Sequence, residues 1–215
     1  MRDKYLDRLE NPTNMRGGYC VLNEEIKGRV VQDVIEISFT SLYPNLLLYL
    51  YDNGILDRFN IKVPDDVITK LTKILRNGTQ SQDKLWINSI WTRELRPITY
   101  SMFELFYQYM SMFYTDIIAN IPYNWLYIDT DVMFIVGDNE LFRKMMKDVP
   151  FPVCGCRVDV KPFVFFEAKK KYVISDSTLI LKEKGFGSRN SLRREEIVSI
   201  MKTHIRNKKL DDILC

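Results

Sequence analysis

Histidine and cysteine are almost absent from this chain, and each scarcity removes a class of chemistry. With His204 as the only histidine, the sequence argues against a histidine-based zinc site and against a Ser-His-Asp triad. The four cysteines are Cys20, Cys154, Cys156 and Cys215. Their one close pair is C-x-C, which lacks the C-x-x-C spacing of zinc fingers and thiol redox sites. Such thiols read as reduced, which fits an intracellular protein. Met1 is followed by Arg2, Asp3 and Lys4 rather than by an apolar segment. No secretory signal is therefore expected, and the chain is assigned to the cell interior, cytoplasm or nucleus. Long apolar runs are missing too. Residues 100–114 are interrupted by Glu104 and Gln108 and end near Asp116, too short and too polar to span a membrane. Internal repeats and low-complexity tracts are also lacking.

What remains is ample for a folded core: 215 residues, 46% of them hydrophobic, make one or two domains. The net charge of +3 says little, but its distribution is uneven. Residues 161–215 carry 13 Lys/Arg against 7 Asp/Glu, and residues 1–160 carry 18 against 21. A basic C-terminal quarter fits either a surface that meets phosphates or a solvated face. In residues 34–39, Ile35, Ile37 and Phe39 alternate with Val34, Glu36 and Ser38, the pattern of a half-buried strand. Pro44 follows, and residues 46–51 read as a helix that Asn53-Gly54 stops. Residues 67–75 and 82–91 form a helical hairpin broken at Asn77-Gly78. Residues 102–118 are apolar nearly all round, a buried helix. Residues 125–136 are apolar except for Asp129-Thr130-Asp131, which predicts a β-hairpin with the acidic triplet at its turn. Residues 163–166 and 172–175 add strands. Ser191 can cap a last helix in which Ile197, Met201 and Ile205 recur every four residues. Strands with segregated helices predict an α+β fold.

Asp129 and Asp131, two residues apart, share one face of a strand or turn. Setting both in an apolar stretch costs desolvation unless a cation or partner compensates. The plainer alternative is a polar turn that contains aspartate twice. Lys84 and Asn88 project from one helix face. Three consecutive lysines, Lys169, Lys170 and Lys171, follow an aromatic strand and suit an edge that faces nucleic acid.

Four motifs in order resemble family B DNA polymerases: Ser41-Leu42-Tyr43-Pro44, Lys84-x-x-x-Asn88-Ser89-x-Trp91, Tyr127-Ile128-Asp129-Thr130-Asp131 and Lys170-x-Tyr172. The segment from Lys182 through Gly185 to Arg189 resembles the family's downstream Lys-Gly-x-x-x-Arg stretch. The resemblance covers residues 33 to 190. It implies a right-hand palm, an antiparallel sheet with helices on one face, with a helical-hairpin fingers insertion and a rudimentary thumb. The implied parts are residues 1–52 and 99–175 for the palm, 53–98 for the fingers and 176–215 for a thumb-like tail. With 32 residues ahead of Asp33, no exonuclease domain is expected.

By the same resemblance, Asp129 and Asp131 hold Mg²⁺ or Mn²⁺, and the incoming dNTP meets Leu42, Tyr43, Lys84, Asn88 and Trp91. Arg76 is a further candidate for its phosphates. Lys169, Lys170, Tyr172 and Arg189 meet primer-template DNA. Trp91 stands where the family has tyrosine and Thr92 where it has glycine. The family's motif before Ser-Leu-Tyr-Pro starts with a metal-bridging aspartate, and here that position is Ser38. A neutral hydroxyl brings no charge to a hard cation. Glu36 shares the face of Ser38 but lies roughly 6.5 Å along the strand. Asp33 belongs to the other face. Two functions follow: a polymerase-like module that binds primer-template DNA and dNTP with impaired synthesis, or an inactive homologue. The second would serve as a nucleic-acid-binding or protein-interaction subunit of a viral or plasmid replication complex or of another complex.

Overall fold

The computed structural model describes residues 3–13, 17–78, 80–138, 140, 156–176, 180–186 and 191–214. The fold is α+β, as the segregated strands and helices predict. The chain divides into two compact units. A helical unit takes Met1–Tyr19, Phe39–Asn120 and Arg143–Cys156, and a sheet unit takes Cys20–Ser38, Ile121–Phe142 and Arg157–Cys215.

In the helical unit, helix α1 runs Leu42–Asp52, α2 Ile55–Arg58, α3 Asp65–Asn77, α4 Ser81–Ile90 and α5 Thr99–Asn120. Ser41 takes a left-handed conformation at φ 50° to turn the chain into α1, and Pro44 falls within the first turn, where its missing N–H costs nothing. Asp65 and Asp66 open α3 and Gly78, at φ 82°, ends it, so charge and conformational freedom sit at the ends that favour them. Helix α4 starts with a reciprocal cap: Gln80 N–H donates to Asp83 Oδ2 at 2.9 Å while the Gln80 side chain accepts from the Asp83 backbone. Lys70 Nζ lies 4.2 Å from the centre of the Trp86 ring and joins the two arms of the hairpin. Nine residues of α5 are buried. Asp3 is fixed to two helices, its Oδ2 accepting from the Tyr49 hydroxyl at 2.8 Å and the Tyr109 hydroxyl at 2.5 Å.

Among the described residues the sheet has seven strands: β1 Cys20–Leu22, β2 Val30–Phe39, β3 Trp125–Asp129, β4 Val132–Ile135, β5 Cys156–Ala168, β6 Lys171–Ser175 and β7 Ile180–Lys184. Their spatial order is β1-β3-β4-β2-β5-β6-β7, and every pairing with a described register is antiparallel. Helix α6, Ser191–Leu214, buries Ile197 and Met201 against Phe163, Phe165 and Val173. The alternate face of the sheet carries an aromatic core of Tyr127, Phe134, Phe166 and Tyr172. Strand β2 is central, so residues 34–37 are buried on both faces rather than on one, Glu36 included. The expected cap residue, Ser191, is instead the first helical residue of α6.

Candidate functional site

The acidic triplet closes a two-residue hairpin. Asp129 ends β3, Val132 starts β4, and the two are register partners. Thr130 takes φ 59° to make the turn, a conformation that two-residue hairpins favour but a β-branched residue adopts at a cost. The alternation that would align the two carboxylates stops at Asp129. Asp129 is 5% exposed, whereas Asp131 stands exposed in the turn. The Asp131 carboxyl is raised from its ordinary value, first by partial loss of water at the turn and then by the Asp129 charge, while its own backbone N–H, Lys184 and Lys182 pull it down.

Strand β4 also pairs with β2, where Ser38 is the partner of Val132. Ser38, Val132 and Asp129 thus form one rung across three strands and point to one face. Val132 separates the other two, so Ser38 and Asp129 lie roughly 10 Å apart at Cα, two strand spacings. Glu36, on the same face as Ser38, does not reach Asp129 through a shifted register, for residues 35–38 pair regularly with β4. Its partners are lysines instead. Lys161 Nζ stands 3.2 Å from Glu36 Oε2 and Lys182 Nζ 3.5 Å from Oε1. Lys184 Nζ donates to Asp129 Oδ2 at 2.5 Å.

Lys182 and Lys184 both belong to β7, and both ammonium groups approach the Tyr172 ring, at 5.7 and 5.9 Å from its centre. Burial opposes the charge of Lys184, but its hydrogen bond to Asp129 and that carboxylate's charge outweigh burial and raise its pKa. Nothing in the spacing of these lysines along the sequence marks them as partners of the carboxylates. The signal available was the alternation Lys182-Glu183-Lys184, a strand pattern written in charges.

Tyr172, expected at a DNA surface, is 2% exposed and sits in the aromatic core beside Tyr127 and Phe134, with ring centres 5.7 and 5.3 Å away. Lys169 and Lys170 are exposed at the β5–β6 turn, where Lys170 takes φ 61° and donates its backbone N–H to the Tyr127 hydroxyl at 2.8 Å. Arg189 and Cys154 lie outside the described residues.

In the helical unit, Leu42 is buried and Tyr43 half-buried. Tyr43 packs on Phe106 and Phe103 at 4.9 and 5.5 Å, and Trp91 packs on the same two rings at 5.8 and 5.4 Å. Tyr43 and Trp91, far apart in the sequence, are thereby brought into one aromatic cluster. Lys84 and Asn88 are exposed on α4, and Arg76 is exposed at the end of α3.

The sequence matches no protein-family model and no curated protein. The structure does match solved ones. Phi29 DNA polymerase in complex with primer-template DNA aligns at a TM-score of 0.55 and 13% identity, over 81% of this chain and 54% of that one. An orthorhombic crystal form of Phi29 DNA polymerase gives 0.55 and 11% over 88% and 56%. At the level of fold, the chain is polymerase-like. It spans about half the length of those polymerase chains. The family B DNA polymerase of the hyperthermophilic archaeon Pyrobaculum calidifontis aligns at 0.45 and 15% identity, over 85% and 31%.

A polymerase palm implies a pair of divalent cations held by carboxylates from neighbouring strands. The donor set here does not fit that pair. Asp129 is bonded to an ammonium, Glu36 faces two, and Ser38 is neutral. Among the described residues, no three His, Cys, Asp or Glu side chains converge to hold a metal ion. No helix among them is long and apolar enough to cross a membrane.

Proposed function

We propose that the chain is a polymerase-like module that binds primer-template DNA and dNTP, with nucleotidyl transfer impaired at position 38. The observation that carries this reading is the rung Ser38–Val132–Asp129 in a polymerase-like fold, with the other motifs following in family order. Residues 1–52 and 99–175 act as palm, 53–98 as fingers and 176–215 as a short basic tail. Lys84 and Asn88, exposed one helical turn apart on α4, meet the triphosphate, and exposed Arg76 is a further phosphate contact. Tyr43 and Trp91, locked by Phe103 and Phe106, flank sugar and base. Trp91 offers a stacking face. Lys169 and Lys170, at an exposed turn, meet DNA phosphates without reading sequence.

The reaction would join a primer 3′-oxygen to the α-phosphate and release pyrophosphate. A neutral side chain at position 38, in place of a carboxylate, would cost such a step several kcal/mol, roughly a thousandfold or more in rate. Fluorescence anisotropy with labelled primer-template DNA tests binding. Lys169→Ala with Lys170→Ala is expected to weaken it and to make it less sensitive to salt. Unchanged binding in that double variant would remove the DNA-facing role of the turn. Primer extension with Ser38→Asp tests the chemistry, and a gain over the wild type supports synthesis.

A second reading, an inactive homologue that binds nucleic acid or another replication subunit, is favoured by the contact of Lys184 with Asp129. It predicts that Ser38→Asp stays inert while DNA binding persists.

A further inference from the structure

We propose that Lys184 is the resident cation of Asp129, neutralising that carboxylate where a divalent ion would otherwise stand, and that Lys161 and Lys182 do the same for Glu36. The inference takes from the polymerase-like reading only the expectation of metal ions at this place. Everything else rests on the charges of the sheet unit itself.

Asp129 is 5% exposed and Glu36 3% exposed, and carboxylates so buried must be compensated. Lys184 touches Asp129 at 2.5 Å, and Lys161 and Lys182 flank Glu36 at 3.2 and 3.5 Å. Lys161 also reaches Asp159 at 3.4 Å, and Arg157 closes the row on Asp159 at 2.8 Å. These contacts join three carboxylates (Glu36, Asp129 and Asp159) to four cations (Arg157, Lys161, Lys182 and Lys184), so each of the three carboxylates is compensated without any divalent ion. An incoming dication would have to evict an ammonium from a buried carboxylate, and Ser38 offers it no charge in return. In these pairs the carboxylate is buried and Lys184 and Lys182 are half-exposed, so removing a lysine strands a buried charge while removing both partners costs far less.

Mn²⁺ titration of the full chain, followed by the electron paramagnetic resonance signal of free Mn²⁺, tests this. Wild type and Asp129→Asn should bind Mn²⁺ equally weakly. Lys184→Gln, which frees Asp129 beside Asp131, should bind at least ~10-fold more tightly, because the carboxylate count now favours the cation. Thermal unfolding in metal-free buffer gives an independent readout. Asp129→Asn and Lys184→Gln should each lower Tm, and the double variant should fall short of their sum. Two results would overturn the proposal: wild-type Mn²⁺ binding that collapses in Asp129→Asn, or a Tm that rises in Asp129→Asn without metal. Both use Asp129→Asn alone, so they decide the matter even if Lys184→Gln fails to fold. Primer-template binding, measured on the same protein, reports separately on the polymerase-like reading. Its loss would leave the charge pairing untouched.

Discussion

Gly185 shows how tightly one residue can be specified. It sits at φ +78°, and a Cβ built on it would lie 2.1 Å from the Lys170 carbonyl oxygen and 2.8 Å from Lys171 Cγ. The backbone oxygen cannot swing aside as a side chain can. Gly28 has nearly the same φ, +75°, but nothing within 4 Å of its Cβ position. The two glycines therefore separate conformational cost from collision. Gly28→Ala should cost ~1–2 kcal/mol, the left-handed penalty alone, whereas Gly185→Ala should cost ~2–5 kcal/mol because a clash is added. Urea unfolding of both variants checks this, and equal midpoints would mean that the close approach is not rigid. Because Gly185 directly follows Lys184, the same variant should loosen the ammonium from Asp129. At this scale Ser38 is where the sequence departs from the pattern that it resembles. The sequence names the position and the structure shows the company it keeps: Val132 beside it, Asp129 one strand further on.

Among elements, those whose cause is local were readable from the sequence. The four-residue recurrence of Ile197, Met201 and Ile205 marks the buried stripe of α6. Ile197 and Met201 are fully buried and Ile205 is packed against the same cluster. Ile197→Ala and Met201→Ala should each cost ~2–5 kcal/mol, while Ile200→Ala, 39% exposed, should stay within ~0.5 kcal/mol. Denaturant midpoints of the three variants test the facing of the helix, and a large effect at Ile200 would rotate the stripe. The β3–β4 hairpin and the α3–α4 hairpin were legible for the same reason, since apolar period and turn residues agree over short spans. Strands β1 and β7 were not. Strand β1 has three residues, too few for a pattern, and β7 alternates charges because its partners are carboxylates on β2 and β3. The sequence places a strand only at residues 163–166, and the first half of β5 adds to it Arg157, Asp159 and Lys161, which pair with one another and with Glu36. The candidate site follows the same division. Its carboxylates were visible as residue types in a motif, but the ammonium groups that hold them come from 55 and 146 positions away for the Lys184–Asp129 and Lys182–Glu36 pairs. Only sheet register supplies that proximity.

For the whole molecule, the reserve of buried phenols sets the alkaline limit. Tyr172 is pushed up to about 12, chiefly by burial, with Lys184 pulling it back. Tyr127 is raised by burial and by Cys20 against a backbone N–H from Lys170. Tyr5, Tyr49 and Tyr109 are raised by burial first, then by hydrogen bonds to Asp116 for Tyr5 and to Asp3 for the other two. Both units therefore hold phenolic protons that the unfolded chain would release near pH 10. The raised Lys184 adds to the same side, since its ammonium is favoured in the folded state. A raised folded-state pKa contributes stability that is complete below the unfolded value and disappears as pH climbs toward the folded one. Stability should accordingly hold up to about pH 10 and fall steadily above it, the fold binding more protons than the unfolded chain throughout that window. Urea midpoints across this range measure the fall, and tyrosinate absorbance should appear together with unfolding rather than ahead of it. Ionisation of the full phenol complement in a still-folded protein would show that the hydroxyls at Asp3 and in the aromatic core exchange freely with solvent, and would contradict the packing described for both units.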